Sequence, residues 1–302
     1  MNTARQRHGP GALQQRGMAV IVAMLVVAIV AVIAAGLIMR QSSALRTLRG
    51  EQLRAQVAMA VDAAIEHAAV ELRADAAEQL TTVSTGRWAR PILLQSPLPV
   101  QLQLRDAQAV FNLRNLVREG RPDLHEQAVF ARLCSEQGLS PGECERVRRY
   151  VVARITGGGN GSGPLPLQDI ATHALPDSDL QRVQALQRVL ALLPAATVLN
   201  INTSDAQVLA AALPAVSPAR LQALLAERQQ GHWFINSGDI AFRLQLTQAQ
   251  MQAMRVGIHS EWFLATGQVQ ADDVRVDFQA LIWREHRDNG VRIQRMWTRV
   301  GA

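Results

Sequence analysis

The chain has 302 residues, 48% hydrophobic but only 4% aromatic, enough apolar material for two domains and a composition that favours helices packed on one another. All 31 basic residues are arginine, a uniformity that reads as coding bias, and the net charge of +6 is thinly spread. No stretch holds five consecutive basic residues, so a polybasic nucleic-acid arm is excluded.

The first element is apolar. Met18 to Met39 is uncharged and long enough to cross a hydrocarbon core, which takes ~20 residues of helix. A cleavable secretory signal has a shorter apolar core of ~7–15 residues, although Ala34, Ala35 and Gly36 imitate its cleavage site and keep that alternative open. The preceding leader carries Arg5, Arg7 and Arg16 and no acid, which keeps that end in the cytoplasm and places the rest of the chain outside.

Beyond the span the helical signal continues. Leu53, Val57, Val61, Ile65, Ala68 and Leu72 recur every three or four residues, with Arg49, Glu51, Arg54, Asp62, Glu66 and Arg73 between them. No proline falls between Met18 and Ala77, which predicts one helix of roughly 60 residues, ~90 Å long at 1.5 Å per residue. The alternative is two helices broken near Gly50.

Prolines 91, 97 and 99 mark a loop, and "VQLQLRD" then alternates Val100, Leu102 and Leu104 as a half-buried strand. "AVFNLRNL" reads as a second short strand entering a helical region. From Pro122 to about Leu246 helices are predicted at "DLHEQAVFARLC", "CERVRRYVVARI", "SDLQRVQALQRVLALL", "SDAQVLAAAL" and "SPARLQALLAERQQ", with a last one at "TQAQMQAMRVGI". Ser204-Asp205 and Ser217-Pro218 are helix starts. Val274, Val276 and Phe278 then alternate, and Asn289-Gly290 turns the chain into another alternating run through Val291 and Ile293. A helical block interrupting a small sheet is an insertion into an α+β domain.

Arg16-Gly17-Met18 ahead of a long apolar helix resembles the leader of type IV pilins and pseudopilins, which is cut after the glycine. Most members have glutamate at the fifth mature position, where this chain has Val22. A carboxylate in the bilayer costs ~2.5–3.5 kcal/mol on insertion scales unless a partner offsets it, and a subunit with no neighbour above it can do without one. The glutamate is absent in the protein K family of type II secretion systems. Three further segments resemble that family: "RDAQAVFNLRNL", with Arg114 where a second asparagine is usual; "LNINTSDAQVLAAALP", with Asn200, Asn202 and Thr203 in place; and "IHSEWFLATGQV".

The resemblance implies a pseudopilin fold with a long N-terminal helix, a small antiparallel sheet and a large α-helical insertion. It divides the chain into a leader (1–17), a transmembrane segment (18–39), the pseudopilin helix and first strands (40–121), the insertion (122–257) and the closing strands (258–302). It implies cleavage between Gly17 and Met18 by the prepilin peptidase, methylation of the Met18 amine, an inner-membrane location, and assembly at a pseudopilus tip with minor pseudopilins I and J and other pseudopilins. It also raises calcium, which family members bind. Here the corresponding "RRYVVARITGGGNGSGPLP" lies in a stretch without a carboxylate between Glu145 and Asp169, short of the six to eight oxygen ligands calcium takes, so no cofactor is expected.

The remaining signals are weaker. Cys134 and Cys144, outside the cytoplasm, predict a disulfide, with two buried thiols as the alternative. "GGGNGSG" lacks the lysine ending of a phosphate loop and reads as a plain loop. The segment from Leu199 to Ile240 has the cadence of paired helix-hairpin-helix motifs, but "AVS" (215–217) replaces the hairpin glycines, so nucleic acid is not an expected partner. Seven scattered histidines and the acids Asp272, Asp273 and Asp277 form no catalytic set, so no enzyme is expected. A membrane-anchored DNA-binding protein and a minor pilin of a type IV pilus stand as alternative functions.

Overall fold

A computed structural model describes residues 12–157, 166–271, 273–287 and 290–301. Two compact units divide the chain, Met1–Ala58 and Met59–Ala302. Helix α1, Ala12–Glu78, is continuous; a Cβ built on Gly50 would meet nothing within 4 Å, and no break occurs there. In the first unit the helix exposes large apolar side chains all round, from Val20 and Ile21 through Met24, Val27 and Ile33 to Met39.

The second unit is built on a five-stranded antiparallel sheet. Its strands are β1 (Ile92–Leu94), β2 (Val100–Asp106), β3 (Trp262–Ala271), β4 (Val274–Arg287) and β5 (Gly290–Val300), adjacent in that order. The predicted alternation of β2 is present: Val100, Leu102 and Leu104 are buried while Gln101, Gln103 and Arg105 point the other way. On the same inner face lie Ala265, Val269, Phe278, Ala280 and Ile282, all buried. Gly267 belongs there because the Phe278 ring occupies the space a Cβ would take, 2.5 Å away. Asp75 and Asp62 of α1 bond to Arg284 of β4 and Arg295 of β5, so this stretch of the helix lies on the inner face. Its buried face alternates Ala60, Ala64 and Ala68, wholly enclosed, with the larger Val61, Ile65 and Leu72.

Between β2 and β3 the chain makes a helical excursion. It contains α2 (Leu124–Glu136), α3 (Pro141–Thr156), α4 (Leu167–Ala174), α5 (Leu180–Gln187), α6 (Ala206–Ala212), α7 (Pro218–Gln229), α8 (Ser237–Leu244) and α9 (Gln248–Ala253). These share one apolar core, centred on Phe130, Leu133, Ile170, Leu209 and Phe234. Ser217 caps α7 with Pro218 in its first turn, as expected from their order. Asp205 precedes α6 without a side-chain capping bond.

Two helices are shorter than the sequence pattern predicts. The helix expected through Leu193 ends at Gln187, because the next residues pair with "FN": Leu190–Ala191 runs parallel to Phe111–Asn112, and Val189, Leu190, Leu192 and Leu193 are all buried. A one-sided helical stripe cannot bury four of five successive residues; an extended segment threaded through a core can. Likewise α9 stops at Ala253, and Val256–Gly257 pairs in parallel with Leu199–Asn200. The closing hairpin sets Arg287 opposite Gly290, and Asn289, assigned to its turn, lies outside the described residues, as do the glycine-rich stretch 158–163 and Asp272. Opposite Leu281 and Ile282, β5 carries one extra residue, Met296, as a bulge.

Candidate functional site

Two features of the chain carry chemistry that the fold alone does not require. The first is the apolar helix. Among the described residues it is one helix long and apolar enough to cross a membrane, and none of its apolar window is buried. Val22 lies on this stretch, 54% exposed. The surroundings of Gly17 and Met18 lie outside the described residues.

The second is the junction where the helical excursion leaves and re-enters the sheet, built from the asparagine-rich segments. Asp106 ends β2 and is buried. Its Oδ2 accepts from Asn200 Nδ2 at 2.9 Å, Thr203 Oγ1 at 2.5 Å and Ser260 Oγ at 2.6 Å, while Oδ1 accepts from the Gln108 amide at 2.7 Å. Burial nevertheless pushes its carboxyl above the usual range, since no cation touches it directly. Asn200 also donates to the Thr82 carbonyl at 3.0 Å and holds the Asn202 amide through its own Oδ1 at 3.0 Å. One side chain thus ties the loop after α1, the exit of β2 and the entry to β3. Asn202 grips the backbone of Phe234 in both directions, donating to its carbonyl and accepting from its amide at 2.9 Å each.

The other asparagine pair works the same way on the opposite side. Asn112 donates to the Ala195 carbonyl at 2.8 Å and accepts from the Leu193 amide at 3.1 Å. Asn115 clasps Thr197, donating to its carbonyl at 2.8 Å and accepting from its amide at 3.1 Å. Arg114, at the position of a usual second asparagine, donates to the Leu193 carbonyl at 3.2 Å. A buried backbone amide or carbonyl left unpaired costs ~1–3 kcal/mol, and these side chains supply the partners an irregular buried segment lacks.

Beside the junction, Arg284 and Asp75 form a buried ion pair at 3.0 Å. Arg284 also donates to Thr82 Oγ1 at 2.6 Å and the Ser260 carbonyl at 2.8 Å, and its guanidinium lies 4.7 Å over the Phe263 ring. Desolvation raises the Asp75 carboxyl and lowers the Arg284 guanidinium, the two offsetting each other through the pair. This pair was not visible in the sequence, where its members stand 209 positions apart.

Cys134 on α2 and Cys144 on α3 are joined as a disulfide, with Cα atoms 5.8 Å apart. The capping box of Ser140 and Glu143 lies inside that loop, and its hydrogen bonds hold the Glu143 carboxyl down to about 2. On α2, Glu126 is buried next to Arg255 at 3.3 Å, and desolvation pushes it up to about 7.

The arginines of the helical-hairpin segment face inward. Arg228 donates to the carbonyls of Ile201 and Ser204 at 2.7 Å, Arg220 to that of Arg243, and Arg243 pairs with Glu227 at 2.6 Å. The acids bordering the region compared with a calcium loop are each held by an arginine, Glu145 by Arg148 at 2.6 Å and Asp169 by Arg299 at 2.8 Å. Among the described residues, no three His, Cys, Asp or Glu side chains are grouped to hold a metal ion.

A long N-terminal helix, a small antiparallel sheet and a helical excursion between its strands are the elements expected of a pseudopilin fold. Residues 199–259, the asparagine segment through the entry to β3, match the family described as type II secretion system (T2SS), protein K. The fold of the whole chain is similar to a chain in the crystal structure of the GspK-GspI-GspJ complex from the enterotoxigenic Escherichia coli type 2 secretion system, with a TM-score of 0.64 and 17% identity over 84% of this chain and 99% of that one. No curated protein matches the chain in sequence.

Proposed function

We propose that the protein is a minor pseudopilin of a type II secretion system, anchored in the inner membrane by one helix, with its N-terminus cytoplasmic and its bulk periplasmic. In this reading the prepilin peptidase removes residues 1–17, the Met18 amine is methylated, and the mature chain sits at the pseudopilus tip. It acts by packing and carries no catalytic activity or calcium. The observation that carries the proposal is the joining, in one chain, of the protein K segment at 199–259 with a fully exposed apolar helix whose position 22 is valine.

A tip subunit has lateral partners but none above it. The similar solved chain is part of a complex with GspI and GspJ, which supports minor pseudopilins I and J as the partners here. Co-expression with the I and J subunits of the same system tests this. The expected result is a complex containing one copy of each, eluting together in detergent. Elution of this chain alone, with I and J forming their own complex, would contradict it.

A further inference from the structure

The sheet's outer face, away from α1, is divided. Toward one end it is apolar: Leu264, Leu281 and Trp297 pack under Ala191 and Leu193 of the helical excursion. Toward the other it is a field of amides. Strand register aligns two rows across three strands, Gln101–Gln268–Asp277 and Gln103–Thr266–Gln279. Opposite them, α4 and α5 contribute Gln168, Gln184 and Gln187. The space between is a cleft of about 540 Å³, and it adjoins an apolar pocket of about 120 Å³ beside Leu190, Leu281 and Trp297. Gln187, Thr266 and Gln279 border both.

Helices covering a sheet normally bury apolar side chains against it. Here neither wall of the cleft does so beyond Leu180. The glutamine side chains facing the cleft have no hydrogen-bond partner among the described residues, and Gln168 Oε1 is buried without one. Each primary amide offers donors and an acceptor, the same complement a peptide backbone presents. Rows two residues apart along a strand, on strands ~4.8 Å apart, match the spacing of an extended chain. The single carboxylate, Asp277, gives no field for a polyanion, and no aromatic face lines the amide rows as a platform for a sugar ring.

We propose that this cleft binds an extended, uncharged polypeptide segment of another protein, its backbone on the glutamine rows and one bulky apolar side chain in the adjoining pocket. The proposal does not depend on the secretion role. It is tested with the full chain in lipid nanodiscs, panned against a phage library of random nonapeptides. Enriched sequences should share one large apolar residue among uncharged ones. Replacing that residue with alanine in the synthetic peptide should weaken binding at least about tenfold, the scale of one buried aliphatic side chain. The double variant Gln103→Ala/Gln279→Ala should weaken it about tenfold, as for two lost hydrogen bonds, with unfolding unchanged. Ala191→Phe, which fills the pocket, should abolish it. The proposal is overturned by no enrichment over empty nanodiscs, by enriched peptides that bind the glutamine variant as well as the wild type, or by maltohexaose displacing them, which would mark a glycan site.

Discussion

Helix α1 presents two different surfaces along one continuous run. From Val20 to Met39 valine, isoleucine, leucine and methionine point outward on every side. From Met59 to Glu78 only one stripe is buried, half of it alanine with Ala60, Ala64 and Ala68 at 0% exposure, and charged residues occupy the outer face. Bulk all round suits a helix whose solvent is lipid, where every direction is apolar. A narrow buried stripe suits a helix packed on a sheet on one side and facing water on the other. The two stretches of one continuous helix thus differ as a lipid-facing and a sheet-packed surface would.

Substitutions can break each surface separately. The largest effect falls at the sheet side: Asp75→Leu strands Arg284 as a buried unpaired charge and should cost about 3–5 kcal/mol in urea unfolding, whereas the double Asp75→Leu/Arg284→Leu variant should recover most of it. On the lipid side, Val22→Glu should cost ~2.5–3.5 kcal/mol of insertion, read as the glycosylation ratio of a reporter in microsomes. Met59→Glu, exposed on the water-facing stretch, should change unfolding by no more than ~0.5 kcal/mol. Reducing Cys134–Cys144 should cost ~2–3 kcal/mol of the helical excursion and leave α1 protected from hydrogen exchange. Ala64→Leu should overpack the helix against the sheet by ~1–3 kcal/mol, while Val30→Leu, in the lipid-facing stretch, should be silent in the same melt.

A pH dependence is expected within the excursion. Glu126 has its folded pKa raised from 4.5 to about 7, chiefly by desolvation. Between these values the folded state binds the proton more than the unfolded state does, so stability falls as pH rises through that window and levels off above it. Glu126→Gln should flatten the profile from pH 4.5 to 7; an unchanged slope would assign it to other groups.

Regular elements with one exposed face were legible in the sequence. The strand at Val100–Asp106 and the helices α2, α3 and α7 follow their periodicities and caps, and the closing hairpin follows its alternating runs. Where a segment is enclosed on all sides, periodicity loses its meaning, which is why Leu190–Ala191 read as helix. The short helices α4 and α8 carried no predicted element in the sequence. The asparagines at 112, 200 and 202 stood out as motif positions, yet their work of pairing buried backbone required the fold. The Asp75–Arg284 pair and the glutamine rows depend on strand register and on contacts across most of the chain, so no local signal announced them.

The central claim, that α1 is a processed anchor retained in the membrane, rests on the bond between Gly17 and Met18. Intact mass and N-terminal sequencing of the protein isolated from membranes address it directly. The account predicts a chain beginning at N-methylated Met18. A chain beginning near residue 37, or retaining Met1, would contradict it.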